Sequence, residues 1–172
     1  MEKTNVMRIL DQKKVSYTPH SIGDNSKMTG TQVAEVLGKP ADEVFKTLVT
    51  VGKSGANYVF VVPINGELDL KKAAKAVGEK SIEMLKSREL LPLTGYVHGG
   101  CSPIGMKKFF RTTVDESAQT KSSICFSAGK IGFQVEIAPN DLNKVIRFQF
   151  GDIAAEKMSA DSVGRCGTSP VQ

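Results

Sequence analysis

The sequence predicts a single α+β domain folded around a mixed, strongly curved β-sheet with helices packed on it. Three features of the chain point there. Helix and strand signals mix without the regular strand–helix–strand rhythm of a doubly wound fold. A length of 172 residues, 18.5 kDa, suits one domain with a real core. Hydrophobic residues at 40% and charged residues at 24% give the balance of a globular chain, not a disordered one. The domain occupies 1–153, and 154–172, small and polar without periodicity, reads as a flexible tail.

The elements follow in order. Val6, Ile9, Leu10 and Lys13 share one helical face, which predicts a helix over 4–13. The stretch 15–22 alternates loosely and contains Pro19, so it suits an edge strand. Thr29 and Gln32 form a capping box for a helix through Val33, Val36 and Leu37, stopped by Gly38. Pro40 opens a short helical turn. The β-branched run 45–51 and the almost wholly apolar run 57–64 predict two strands joined by a hairpin over 53–56. Asp69 caps a helix that turns Leu70, Ala73, Ala74 and Val77 inward and ends at Gly78. A short strand over 81–84 and a short helix over 85–90 come next. The segment 95–105 is glycine-rich and loop-like. Strands are predicted over 111–114, 122–126, 133–137 and 145–150, with a short helix over 139–142 between the last two.

Composition excludes more than it selects. The chain has 23 Lys and Arg against 18 Asp and Glu, a net charge of +5, which permits a polyanionic partner without requiring one. Two histidines and three cysteines, with no CxxC, argue against a zinc site of the usual spacing, and no cofactor motif is present. A polar start and the lack of any long apolar run predict neither a secretion signal nor a membrane span. Cys101, Cys125 and Cys166 are odd in number and widely spaced, as suits a reducing cytoplasm.

Few residues are left to carry chemistry. Gly99-Gly100-Cys101-Ser102-Pro103-Ile104-Gly105 is either a tight turn or a loop whose free N–H groups hold an anion or a developing oxyanion. Lys46 interrupts a segment that otherwise reads as a buried strand, so it is either solvated at a sheet edge or functional. Cys101 as a nucleophile needs a base or a lowered pKa, and only His98 is close in sequence. His98 and His20 read as surface or packing residues. Basic residues cluster at Lys71, Lys72 and Lys75, and at Lys107, Lys108 and Arg111 beside the glycine loop. Ser127 sits where a strand runs into a small-residue turn and can either stabilise that turn or bind a ligand.

Four segments in order, Phe45-Lys46-Thr47-Leu48, Gly66-Glu67-Leu68-Asp69-Leu70-Lys71-Lys72, Gly95 through Gly105, and Ser127-Ala128-Gly129-Lys130, resemble the signatures of the YbaK family. Its members are Cys-tRNA(Pro) deacylases related to the editing domain of prolyl-tRNA synthetase. The resemblance implies a barrel-like mixed sheet ringed by helices. It also implies hydrolysis of the ester that joins a mischarged amino acid to the 3′ CCA end of tRNA, with prolyl-tRNA synthetase as a possible companion and no metal or cofactor. Lys46 matches the lysine that places the tRNA end. Gly99, Gly100, Cys101, Ser102 and Pro103 match the GxxxP loop whose N–H groups polarise the ester carbonyl. Thr47, Met28, Ser127 and Gly129 match the substrate pocket, and Lys107, Lys108, Arg111 and Lys130 are the cations implied for tRNA. Members have no obvious protein base; the cysteine substrate's own thiol attacks the ester, and alanine-specific relatives use a ribose hydroxyl. Gln134 stands where some members carry aspartate, and Ile22 where they carry tyrosine. Both departures bear on which amino acid is removed.

Overall fold

The computed structural model describes residues 2–155. Thr4 caps α1 (Asn5–Gln12) by accepting the Met7 N–H on its hydroxyl, and Val6, Met7 and Leu10 are buried. β1 (Thr18–Ser21) is an edge strand, which accommodates Pro19. In α2 (Gly30–Leu37) both hydrogen bonds of the Thr29–Gln32 capping box form, and Gly38 ends the helix at φ 70°. A 3-10 turn, Ala41–Glu43, leads into the hairpin of β2 (Phe45–Gly52) and β3 (Asn57–Pro63). Asp69 caps α3 (Leu70–Val77) with bonds from the Lys71 and Lys72 N–H groups. After these come β4 (Ile82–Met84), α4 (Ser87–Thr94), β5 (Arg111–Asp115), β6 (Ile124–Ser127), β7 (Phe133–Ile137) and β8 (Gln149–Gly151).

The strands form two sheets. One is mixed and five-stranded, in the order β4-β2-β3-β5-β8, with β3–β5 and β5–β8 parallel. The other is antiparallel and three-stranded, β1-β7-β6. Among the described residues one parallel bridge, Val44 to Cys125, links the residue before β2 to β6. The α+β class is as expected, but among the described residues no sheet closes into the barrel-like form that the sequence implied.

Burial explains the pattern of β3. Val59 and Val61 point into the main core, with α1, Phe45, Val49, Phe126 and Val135. Phe60 and Val62 point the other way, against Ala73, Ala74 and Val77 of α3. A strand covered on both faces has no polar side to show, so its sequence is continuous rather than alternating. A third cluster packs α2, through Val33 and Ala34, onto Val44 and Cys125.

Three expectations are corrected. Leu70, placed inward by periodicity, is 40% exposed at the first position of α3, whose buried residues are Ala73, Ala74 and Val77. The strand predicted over 145–150 shrinks to Gln149–Gly151. Val145 and Ile146 instead donate their N–H groups to the Leu142 carbonyl and finish a 3-10 turn, Pro139–Lys144. A further 3-10 turn, Glu116–Thr120, gave no signal in the sequence; Asp115 caps it. Ala154 bridges Leu68, and the Ala155 N–H donates to the Glu67 carbonyl, so order runs to the last described residue. Most of the tail expected over 154–172 lies outside the described residues.

Candidate active site

β4 is only three residues long and pairs with Thr50, Val51 and Gly52 alone. No strand of the five-stranded sheet covers that edge of β2 from Phe45 to Leu48. A cleft of about 670 Å³ opens there, between the two sheets and α4. Its lining brings together Met28, Lys46, Thr47, His98, Gly99, Cys101, Ser127 and Gln134. An apolar side is added by Leu48, Met84, Leu85 and Leu90.

Lys46 is half-buried, and its ammonium makes no hydrogen bond or ion pair among the described residues. Burial lowers its pKa below the ordinary 10.5, and the charge of Glu67 works weakly against that. A desolvated cation with no fixed partner is poised to take an anion from a ligand.

Ser127 and Gln134 face each other across β6 and β7, so their side chains leave the same side of the sheet. Both are buried, at 8% and 4% exposure. The Ser127 hydroxyl accepts the Gly129 N–H at 3.1 Å. Gln134 Oε1 is buried without a hydrogen-bond partner, and so is Thr47 Oγ1 on the opposite wall. Two orphaned acceptors in one cleft are costly for an empty fold, at roughly 1–3 kcal/mol each. Both are free to accept from a ligand's donors.

The glycine loop is held from behind. Tyr96 is buried, and its hydroxyl donates to the Ile104 carbonyl at 2.5 Å. The Gly100 N–H closes a turn on the Val97 carbonyl at 2.9 Å. The Ile104 N–H donates to the Ser102 hydroxyl at 3.3 Å. The N–H groups of Gly99, Cys101 and Ser102 find no acceptor among the described residues. Cys101 and Ser102 are nevertheless buried, at 8% and 0% exposure. Buried N–H groups are almost always paired, so unpaired ones beside a cleft are a ready site for a developing oxyanion. Burial pushes the Cys101 thiol up to about 12, so it carries no thiolate near neutral pH.

An aminoacyl-tRNA editing domain profile matches residues 24–145, most of the chain and all of the cleft. The chain belongs to the aminoacyl-tRNA editing domain family. Editing an aminoacyl-tRNA is hydrolysis of its ester, so membership also sets the enzyme class. One relative, the "Putative Cys-tRNA(Pro)/Cys-tRNA(Cys) deacylase EbsC" of Enterococcus faecalis, is 46% identical over 91% of this chain and 96% of its own. A proline–tRNA ligase of Shouchella clausii is 34% identical over 79 residues, 46% of this chain and 14% of the ligase. The solved structure of a "putative trans-editing enzyme for prolyl tRNA synthetase" superposes with a TM-score of 0.76 at 23% identity, over 90% of this chain and all of that one, a likeness of fold.

Other predicted residues lie outside the lining of the cleft. Gly100, Ser102 and Pro103 belong to the loop without lining the cleft. A Cβ on Gly100 would come 3.1 Å from the Ile131 nitrogen, which is why a glycine stands there. Gly129, at φ 90°, packs on Tyr96 and Val6. Ile22 joins the Val33, Ala34, Val44 and Cys125 cluster. Lys107 reaches the Pro92 carbonyl, Lys108 lies over Phe110, and Lys130 pairs with Glu2 and lies over Phe133. Arg111 donates to the Val77 carbonyl at the end of α3, beside Tyr58 and away from the Lys46 end of the hairpin. Sequence reasoning missed His98 as a cleft residue, and missed the apolar side formed by Leu48, Met84, Leu85 and Leu90. Adjacency of His98 to Gly99 was the available signal for the first; the second comes from β4 and α4 folding back, which no local pattern reports. Among the described residues no helix is long and apolar enough to cross a membrane.

Proposed function

We propose that the chain is a trans-acting deacylase that removes cysteine from mischarged Cys-tRNA(Pro), working in the cytoplasm on tRNA released by, or still bound to, prolyl-tRNA synthetase. One observation carries this: an unpaired lysine, two orphaned acceptors and unpaired loop N–H groups converge on one cleft. The 46% identity to a relative bearing that activity in its name supports the substrate.

Each group has a task. Lys46 takes a phosphate or ribose oxygen of the CCA end. Thr47 Oγ1 and Gln134 Oε1 accept from the α-ammonium of the aminoacyl group. The N–H groups of Gly99 and Cys101 face the ester carbonyl and stabilise its oxyanion. Each donor of that kind typically contributes about 2.7–4 kcal/mol. The nucleophile comes from the substrate. Its thiol sulfur bonds to the carbonyl carbon, the ester C–O bond breaks, and the thiol proton ends on the leaving ribose oxygen. Water then opens the thiolester. The raised Cys101 pKa fits this division of labour, since the protein thiol nearest the cleft stays protonated.

Removal of alanine or another small amino acid is a second reading, favoured by Gln134, a neutral acceptor. Purified protein is assayed side by side on Cys-tRNA(Pro), Ala-tRNA(Pro) and Pro-tRNA(Pro), with Lys46→Ala as control. Fastest release of cysteine, lost in the variant, is expected. Equal or faster release of alanine rejects the cysteine assignment, and an undiminished Lys46→Ala rejects the role of the lysine.

A further inference from the structure

We infer that His20, Cys125 and Glu136 form a transition-metal site, suited to zinc, on the face of the three-stranded sheet that α2 covers. The register makes them neighbours. Glu136 pairs with Cys125 on one side and with Thr18 on the other, and His20 lies two residues beyond Thr18, so all three side chains leave the same face. Their donor atoms, one imidazole nitrogen, one sulfur and one carboxylate oxygen, all lie within 4.8 Å of one another. His20 Nε2 and Glu136 Oε1 are 3.0 Å apart. Zinc bonds of about 2.0–2.3 Å in tetrahedral geometry place such donors about 3.3–3.8 Å apart. The cluster therefore needs only small side-chain adjustments on a fixed backbone.

The chemistry of the set favours zinc over a hard cation. Imidazole and thiolate are ligands for zinc and its neighbours, whereas calcium and magnesium call for oxygen donors. Outer support is already in place. Glu136 turns Oε1 to His20 and keeps Oε2 for Lys39 at 2.8 Å and Ser123 at 2.6 Å, as a ligating carboxylate oriented by its neighbours does. Lys39 adds a positive charge, which a carboxylate and a metal-bound thiolate together outweigh. Three protein ligands leave one position for water. The site lies outside the editing cleft but shares its scaffold, since Gln134 is two residues along β7 from Glu136 and pairs with His20. Positions 20, 125 and 136 follow no local metal-binding spacing, which is why the sequence argues against zinc while the sheet assembles a site.

Titration of the full-length, metal-stripped protein with Co²⁺ tests this. One equivalent is expected to give tetrahedral d–d bands and a thiolate-to-cobalt charge-transfer band, both displaced by Zn²⁺. Cys125→Ser abolishes the charge-transfer band, and Cys101→Ala and Cys166→Ala keep it. Altering an outer partner commonly costs about 10–100-fold in metal affinity, so loss of the ligand in His20→Ala costs at least about 10-fold. His20 is partly exposed, so that variant reports on the site even if Cys125→Ser folds poorly. Absence of the charge-transfer band in the parent protein, its persistence in Cys125→Ser, or unchanged affinity in His20→Ala overturns the assignment.

Discussion

Lys46 and Thr47 are adjacent in β2, and each is placed at a cost that an empty fold would avoid. Lys46 loses hydration without gaining a partner, so its pKa falls. In the proposed mechanism its charged form binds a phosphate or ribose oxygen. As pH rises, that charge is lost sooner than on an exposed lysine, and kcat/KM on the mischarged tRNA should show an alkaline limb below the ordinary 10.5. Lys46→Arg keeps the charge and should shift that limb upward, while Lys46→Ala lowers kcat/KM about 10–150-fold, the worth of one charge-assisted hydrogen bond. A limb of unchanged position in Lys46→Arg would assign it to another group. Thr47 Oγ1 pulls stability and function apart. Thr47→Val removes an orphaned buried oxygen and nearly preserves shape, so its Tm should equal or exceed the parent's. Its kcat/KM should fall about 10–150-fold for the lost hydrogen bond from the substrate ammonium, about 1.5–3 kcal/mol. A lowered Tm together with full activity would show that the hydroxyl serves the fold.

The glycine loop shows what an element adds to its residues. Gly100 is pinned against the backbone of the β6–β7 turn, where a Cβ meets Ile131 N at 3.1 Å and the Lys130 carbonyl carbon at 3.3 Å. Neither atom is the end of a flexible side chain. Gly100→Ala must therefore lift the loop by a few tenths of an ångström and misplace the neighbouring Gly99 and Cys101 N–H groups. Such donors act only at correct distance, so deacylation should fall about 10-fold or more while the Tm drops by only a few degrees. Full activity would remove those N–H groups from the mechanism. Local chemistry made much of this scale legible in the sequence. The Thr29–Gln32 box, the Asp69 cap and the glycine stops are short-range events, and the structure repeats them. The Val145 and Ile146 segment shows the limit. Its β-branched residues match a strand, but the preceding turn uses their N–H groups, and they pack partly buried against the main core without a ladder. In the cleft, Lys46 stood out as a charge within an apolar strand, and the loop as a run of glycines. The convergence of Thr47, Gln134 and His98 on them depends on β2 lying uncovered by β4, a fact of sheet order that no single segment encodes.

At the scale of the molecule, the core that supports the loop also buries two acidic protons. Tyr96 and Cys101 both belong to the main hydrophobic cluster beneath the cleft. Burial raises the Cys101 thiol from 9.0 to about 12. Burial, and then the nearby Cys101, raises the Tyr96 hydroxyl from 10.0 to about 12. Both groups hold their protons more tightly in the folded chain than in the unfolded one. Their contribution is thus fully present below the unfolded pKa and is lost as pH rises through the folded value. For Cys101 the window runs from 9.0 to about 12, and for Tyr96 from 10.0 to about 12. Within it each group lowers unfolding free energy by about 1.4 kcal/mol per pH unit. Urea unfolding at several pH values from about 8 to about 10.5 should show stability falling on the alkaline side. Cys101→Ala removes one ionising group and should flatten the fall from about pH 9, even if stability at neutral pH is lower through lost packing. The variant keeps its backbone N–H and should retain deacylation within a few-fold, because the proposed mechanism uses that N–H and not the thiol. An equally steep alkaline fall in Cys101→Ala would place the titrating group elsewhere, and a collapse of activity with the fold intact would make the thiol a participant after all.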